Sequence, residues 1–141
     1  MDHSFHYLLM ANQAMIHKRL LMGLKDTCLT LGQPKILDYL AQHDGASQKE
    51  IAAACYIEAA TLTSVLNRME EKGLVARKMP PDDRRTYHIY LTDLGTAMAQ
   101  RVQDSFAALE AVSFDGISDE DRDAFLRVFE TICHNLSAKE N

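Results

Sequence analysis

The stretch from Ser47 to Gly95 constrains the fold most, because its pattern changes period at turn signals. Ser47-Gln-Lys-Glu50 is a capping box, a Ser and a Glu that can each satisfy an unpaired backbone donor at a helix start. Ile51, Ala52, Ala54 and Cys55 give the helix that follows a small-residue packing face. A second helix is predicted from Glu58 to Lys72. Its stripe of Leu62, Val65, Leu66 and Met69 repeats at spacings of three and four. Gly73 stands where a left-handed residue would end it. Leu74–Lys78 and Tyr87–Leu91 read as strands around a charged tip, Pro80-Pro-Asp-Asp-Arg-Arg85. Thr92-Asp-Leu-Gly95 opens another helix. Helix, turn, helix, strand, loop, strand is the layout of a winged helix-turn-helix. Its second helix leaves Ala59, Ala60, Thr61, Thr63, Ser64, Asn67 and Arg68 on the outer face. Short, polar and basic side chains there suit a helix entering a DNA major groove.

The ordered set Thr61-Leu-Thr63, Leu66-Asn-Arg-Met-Glu-Glu-Lys-Gly-Leu-Val75, Asp83-Arg-Arg85 and Leu91-Thr-Asp-Leu-Gly95 resembles the MarR family of bacterial transcriptional regulators. One departure stands out: the position after Thr63 often carries Arg in that family, and here it is Ser64. The resemblance implies a homodimer joined through the terminal helices, bound to double-stranded DNA. Its operator would be palindromic, with half-sites about one helical turn (~10 bp) apart. It also implies a small aromatic or lipophilic inducer seated between the dimer arms and the DNA-reading heads. The family's Asp-x-Arg wing matches Asp83-Arg84-Arg85. Arg85 would enter a minor groove, where narrow A·T tracts concentrate negative potential. Asp83 would orient its guanidinium by a bidentate pair. Arg84 and Lys78 would meet phosphates, and so would Gln33 and Lys35 at the start of the helix opened by Pro34. Ser47 and Gln48 are further candidates, although Ser47 already serves as a cap. On the main helix, Thr61, Thr63 and Ser64 are candidates for base edges or nearby phosphates, since Thr methyls pack on thymine methyls. Ala59 and Ala60 permit close approach, and Asn67 and Arg68 point to the backbone.

The flanks are helical in pattern. From Ser4 to Leu31, residues Phe5, Leu8, Leu9, Met15, Ile16, Leu20 and Leu24 make a stripe too wide for a free surface helix. Gly32-Gln-Pro34 punctuates it, and the next helix turns Ile36, Leu37, Tyr39 and Leu40 inward as far as Asp44-Gly45. A long helix from Thr92 runs to about Val112. A last one is capped at Ser118, with acids in its first turn and Phe125, Leu126, Val128, Phe129, Ile132 and Leu136 as its apolar residues. These arms carry more apolar surface than one small domain needs, so they are expected to pair with a second copy. The fold class is mainly α with a small β-wing: a winged helix-turn-helix flanked by N- and C-terminal dimerisation helices. At 141 residues the chain reads as one domain, with the winged module at 32–95 and dimerisation helices at 1–31 and 96–141.

Net charge is −5, which at first argues against nucleic acid. From Gln33 to Leu91, however, eight basic and eight acidic residues balance, so the excess of acid lies in the outer helices. A neutral module with its cations on one surface can still bind phosphates. No apolar run is long enough for a membrane span, and the N-terminus lacks the basic-then-apolar pattern of an export signal. Three widely spaced cysteines, with no Cys-x-x-Cys, fit reduced thiols in a cytoplasm. Cys28 has two readings: a small buried hydrophobe of the dimer core, or the reactive thiol of a redox sensor with Tyr7, Tyr39 and His17 as neighbours. Cys55 and Cys133 are expected to pack inside their helices. Met10, Met15, Met22 and Met98 could line an adaptable apolar pocket. No histidine lies between Thr92 and Val112, which argues against a metal site of the family's zinc-responsive kind. No cofactor is expected and no catalytic constellation appears, so the chain does not read as an enzyme. The alternative from another class is a winged-helix protein-interaction module without DNA binding.

Overall fold

The computed structural model describes residues 3–138. Met1, Asp2 and residues 139–141, which the domain reading above includes, lie outside the described residues. The elements run α1 (Phe5–Gly23), α2 (Gln33–Gln42), β1 (Ala46–Ser47), α3 (Gln48–Cys55), α4 (Ala59–Glu71), β2 (Val75–Lys78), β3 (His88–Leu91), α5 (Asp93–Ser113) and α6 (Asp119–Ala138). The expected class holds, mainly α with one small antiparallel sheet in the order β1-β3-β2. The chain divides after Leu109 into two compact units. Among the described residues no helix is long and apolar enough to cross a membrane.

In the first unit, Ile36, Leu37 and Leu40 of α2, Ile51 of α3, and Leu62, Leu66 and Met69 of α4 are fully buried together with Leu74 and Ile89. The helical ones come from the apolar stripes their periodicity predicts and Ile89 from strand alternation, while Leu74 enters the core from the turn before β2. One expectation fails at the edge of this core: Ala54 is exposed rather than packed. Tyr39 is half-buried against the core as expected, and its ring stacks on His43 with centroids 4.2 Å apart. The first helix also stops earlier than its stripe suggests. It ends at Gly23, not Leu31, because the chain turns there and sends Leu24 and Leu29 into the core. The helix itself has no buried residue.

The sheet pairs Val75 with Leu91 through to Lys78 with His88. Its third strand, β1, joins at Ala46↔Ile89 and Ser47↔His88. Gly45 (φ +85) lets the chain turn into this strand, and its N–H donates to the Ile89 carbonyl at 2.8 Å. Asp44 Oδ1 accepts the Leu91 N–H at 2.8 Å, which satisfies a donor at the sheet margin.

Helix α4 closes with a Schellman motif. Gly73 takes φ +75, its N–H donates to Glu70, and the Leu74 N–H donates to Met69. Thr92 then locks α5 to that end. Its Oγ1 donates to the Gly73 carbonyl at 2.6 Å and accepts the Gly95 N–H at 3.0 Å. Gly95 passes so close that an added Cβ would collide with the Leu74 carbonyl. Elsewhere in this unit the Arg101 guanidinium hydrogen-bonds Asp26 at 2.7 Å and holds its carboxyl below the usual range.

The second unit is the end of α5 and α6. Ser118 Oγ accepts the Asp121 N–H at 3.1 Å, the cap that the sequence indicates. Arg122 lies 4.4 Å over the Phe114 ring, and Phe125 stacks on Phe129 at 5.3 Å. No side chain described in α6 is buried. Cys133, expected to pack inside, is exposed.

Candidate nucleic-acid interface

The outer face of α4 is as open as its sequence requires: Ala59, Ala60, Thr61, Thr63, Ser64, Asn67 and Arg68 are all exposed. Burial of Leu62, Leu66 and Met69 at helical spacing fixes which way these residues point. Glu58 holds the N-cap position but forms no side-chain cap bond, so the helix start is open too. Thr63 is partly committed, since its hydroxyl donates back to the Ala59 carbonyl at 3.0 Å and accepts from Gln48 at 3.4 Å.

Arg77 lies on the other flank, with Nη2 donating to the Thr63 carbonyl at 3.3 Å. Arg77 is one of the eight basic residues between Gln33 and Leu91, and the sequence alone assigns it no role. Strand alternation could have found it, because the period of two that buries Val75 puts Arg77 on the same face, towards α4. Lys78 falls on the opposite face, exposed, with its ammonium 5.2 Å from the Tyr90 ring centroid.

The wing runs from Met79 to Tyr87 between β2 and β3. Here the expected bidentate pair is absent. Asp83 Oδ1 accepts the backbone N–H of Arg85 at 3.1 Å, while Arg85 Nε stands 3.9 Å from the same oxygen. The carboxylate is already spent on shaping the turn, so it restrains the guanidinium weakly. The Arg85 side chain is 96% exposed and projects from the tip. Arg84 beside it is exposed as well.

Two candidates are corrected. Gln33 was expected on the phosphate-facing surface, yet it is only 1% exposed. Its Oε1 accepts from the Thr30 N–H at 3.1 Å and from Lys72 Nζ at 3.2 Å. A polar side chain buried at a helix start needs such partners, and its burial takes it off the phosphate-facing surface. Ser47 is likewise buried, its Oγ accepting the Glu50 N–H at 3.1 Å and donating to the Glu50 carboxylate. The cap and the β1 pairing consume it. Lys35, by contrast, is exposed at the start of α2.

Lys72, also counted only as charge, turns inward and donates to the Cys28 carbonyl at 2.6 Å as well as to Gln33. Cys28 itself sits in the loop between α1 and α2, exposed in the single chain. Cys55 is buried as expected, and burial pushes its thiol up.

The MarR family model matches residues 29–87, which contain α2, β1, α3, α4, β2 and the wing and stop before β3. A protein of Thauera aromatica named as a transcriptional regulatory protein for the hcr operon is 27% identical over 104 residues. That alignment covers 74% of this chain and 63%, less than two thirds, of the relative. The HTH-type transcriptional repressor IacR of Pseudomonas putida is 28% identical over 80% of this chain and 68% of its own length. Among solved structures, the transcriptional repressor CouR bound to a 23-mer DNA duplex superposes with a TM-score of 0.81 and 29% identity, covering 92% of both chains. In sequence over residues 29–87 the chain is similar to the MarR family, and in fold it is similar to this DNA-bound repressor.

Proposed function

We propose that the chain is a cytoplasmic, non-catalytic transcriptional repressor that binds a palindromic DNA operator as a homodimer. The observation that carries this reading is the exposed outer face of α4 between Ala59 and Arg68, together with the exposed guanidinium of Arg85 at the wing tip. A helix of that composition fits a major groove while the wing reaches a minor groove. Thr61, Thr63 and Ser64 face the bases or nearby phosphates. Asn67, Arg68, Lys35, Lys78 and Arg84 face the phosphate backbone.

The apolar faces of α1 and α6 support the homodimer, since Phe5, Leu8, Met15, Phe125, Val128 and Leu136 are all exposed in the single chain. In this reading the winged module at 32–95 and the helices at 1–31 and 96–141 act as one domain. The groove bounded by Ile16, Leu20, Leu21, Leu31 and Phe106 is mostly apolar and suits a small aromatic or lipophilic inducer. Such a ligand would lower DNA affinity by favouring a spacing of the two α4 helices that no longer fits successive grooves.

Fluorescence anisotropy with DNA from upstream of the chain's own gene, across a salt series, tests the reading. Wild type binds steeply with falling salt, and Arg85→Ala weakens it about tenfold. Weak binding in both proteins, indifferent to salt, would overturn it.

A further inference from the structure

Tyr56 occupies a backbone conformation that a tyrosine seldom takes. It closes α3 at φ 54 and ψ 48, and it is the one non-glycine residue with positive φ among the described residues. There the Cβ of an L residue crowds the backbone, whereas glycine adopts the same angles freely. The turn needs only main-chain atoms from this position: the Tyr56 N–H caps the Ala52 carbonyl, which the Ile57 N–H also reaches at 3.0 Å. The side chain does not recover the cost by burial, since Tyr56 is 76% exposed, the most exposed of the large apolar and aromatic residues. A strained position carrying a large exposed ring is a place to look for function.

The surroundings specify which function. Tyr56 borders an open groove with Lys35 from α2 and Thr61 from the first turn of α4. Apolar Leu31, Ile57 and Val65 form most of the groove, and Lys35, Tyr56 and Thr61 bring an ammonium, a phenol and a hydroxyl to it from three segments, beside the helix start that enters the major groove in the reading above. All three are donors, and Lys, Tyr and Thr are among the side chains that bond phosphate oxygens. Glu58 borders the same groove and opposes Lys35, so charge alone does not make an anion site here. The neutral phenol supplies a donor that this opposition leaves intact.

We infer that Tyr56 is a DNA-backbone contact. Its phenol donates to a phosphate oxygen at the edge of the half-site and so sets the register at which α4 enters the groove. The inference rests on the DNA reading proposed above and adds to it a residue outside both the recognition helix and the wing. Because a phosphate looks the same beside every base pair, Tyr56 contributes to affinity and positioning without reading sequence.

The test uses the full chain and a duplex selected by the wild type from a random-sequence pool, with a scrambled duplex of equal length beside it. Tyr56→Phe removes only the donor, Tyr56→Gly removes the whole side chain and the strain, and Arg85→Ala reports on the DNA reading itself. Tyr56→Phe is expected to weaken binding about fivefold and Tyr56→Gly about tenfold, by the same factor on both duplexes. Tyr56→Gly should melt no lower than wild type, because glycine relieves the backbone. If both Tyr56 variants bind as wild type while Arg85→Ala is weakened, the contact is refuted and the DNA reading stands. A loss of binding in Tyr56→Gly that tracks a lower melting temperature, with Tyr56→Phe unaffected, would make Tyr56 a structural residue and overturn the inference. If the pool yields nothing bound better than the scrambled duplex and Arg85→Ala changes nothing, the DNA reading fails and takes the Tyr56 contact with it.

Discussion

The winged part of this chain and its last helix solve the burial problem in opposite ways. Around α2, α3, α4 and the sheet, apolar side chains separated by many residues close on one another, and nine of them from Ile36 to Ile89 show no exposed surface. Helix α6 is just as regular, and its cap is as well formed, yet none of its described side chains is buried. Local order is therefore equal in the two regions, and what differs is whether the chain supplies its own partner surface. A region that completes its core internally is stable as a single copy. One that leaves Phe125, Val128 and Leu136 exposed gains burial only from a second surface, which the proposed homodimer would supply.

The strongest way to break that comparison is at Gly95. Gly95→Ala drives a methyl group into the Leu74 carbonyl, and the winged unit should lose about 3 kcal/mol, seen as a lower urea midpoint at unchanged slope. Wild-type stability in this variant would mean that the junction is softer than its geometry implies. A smaller effect of a different kind is expected in α6. Phe125→Ser should weaken self-association roughly thirtyfold, or about 2 kcal/mol, in sedimentation equilibrium. The near-ultraviolet circular dichroism of the winged unit should remain as it was. If instead that signal collapses, the two regions are not independent in stability. The smallest effect sharpens the comparison at α4, whose N-cap position is unused. Glu58→Ser supplies the missing acceptor and should raise stability by about 0.5–1 kcal/mol in thermal denaturation. No gain would show that the open helix start is already satisfied by solvent.

The winged module was legible because its turns carry their own chemistry. Gly73 and Thr92 mark helix ends that only certain residues can make, and the stripe of α4 fixes its open face. Strand β1 was missed because two residues, Ala46 and Ser47, cannot display a period. The overlong first helix has a related cause. Leu24 and Leu29 continue an apolar rhythm after the backbone has left the helix, and they do so because they face the core from a loop. In the candidate site, exposure was read well wherever a helical face decided it. It was misread where a polar side chain found partners far along the sequence, as Gln33 did with Lys72. The bidentate Asp83–Arg85 pair failed for a local reason, since the turn claims the carboxylate oxygen first. Tyr56 could not be singled out from its neighbours in the sequence, because its distinction is a backbone angle.

The junction at Thr92 also has a mechanical meaning. One hydroxyl ties the last carbonyls beyond α4 to the first turn of α5, and the absent side chain of Gly95 lets the two backbones touch. Such a joint has no slack. The tail of α4 and the head of α5 are held together as the two arms of a crank are. A tilt of the first turn of α5 would reach the end of α4 through these bonds and not through a free loop.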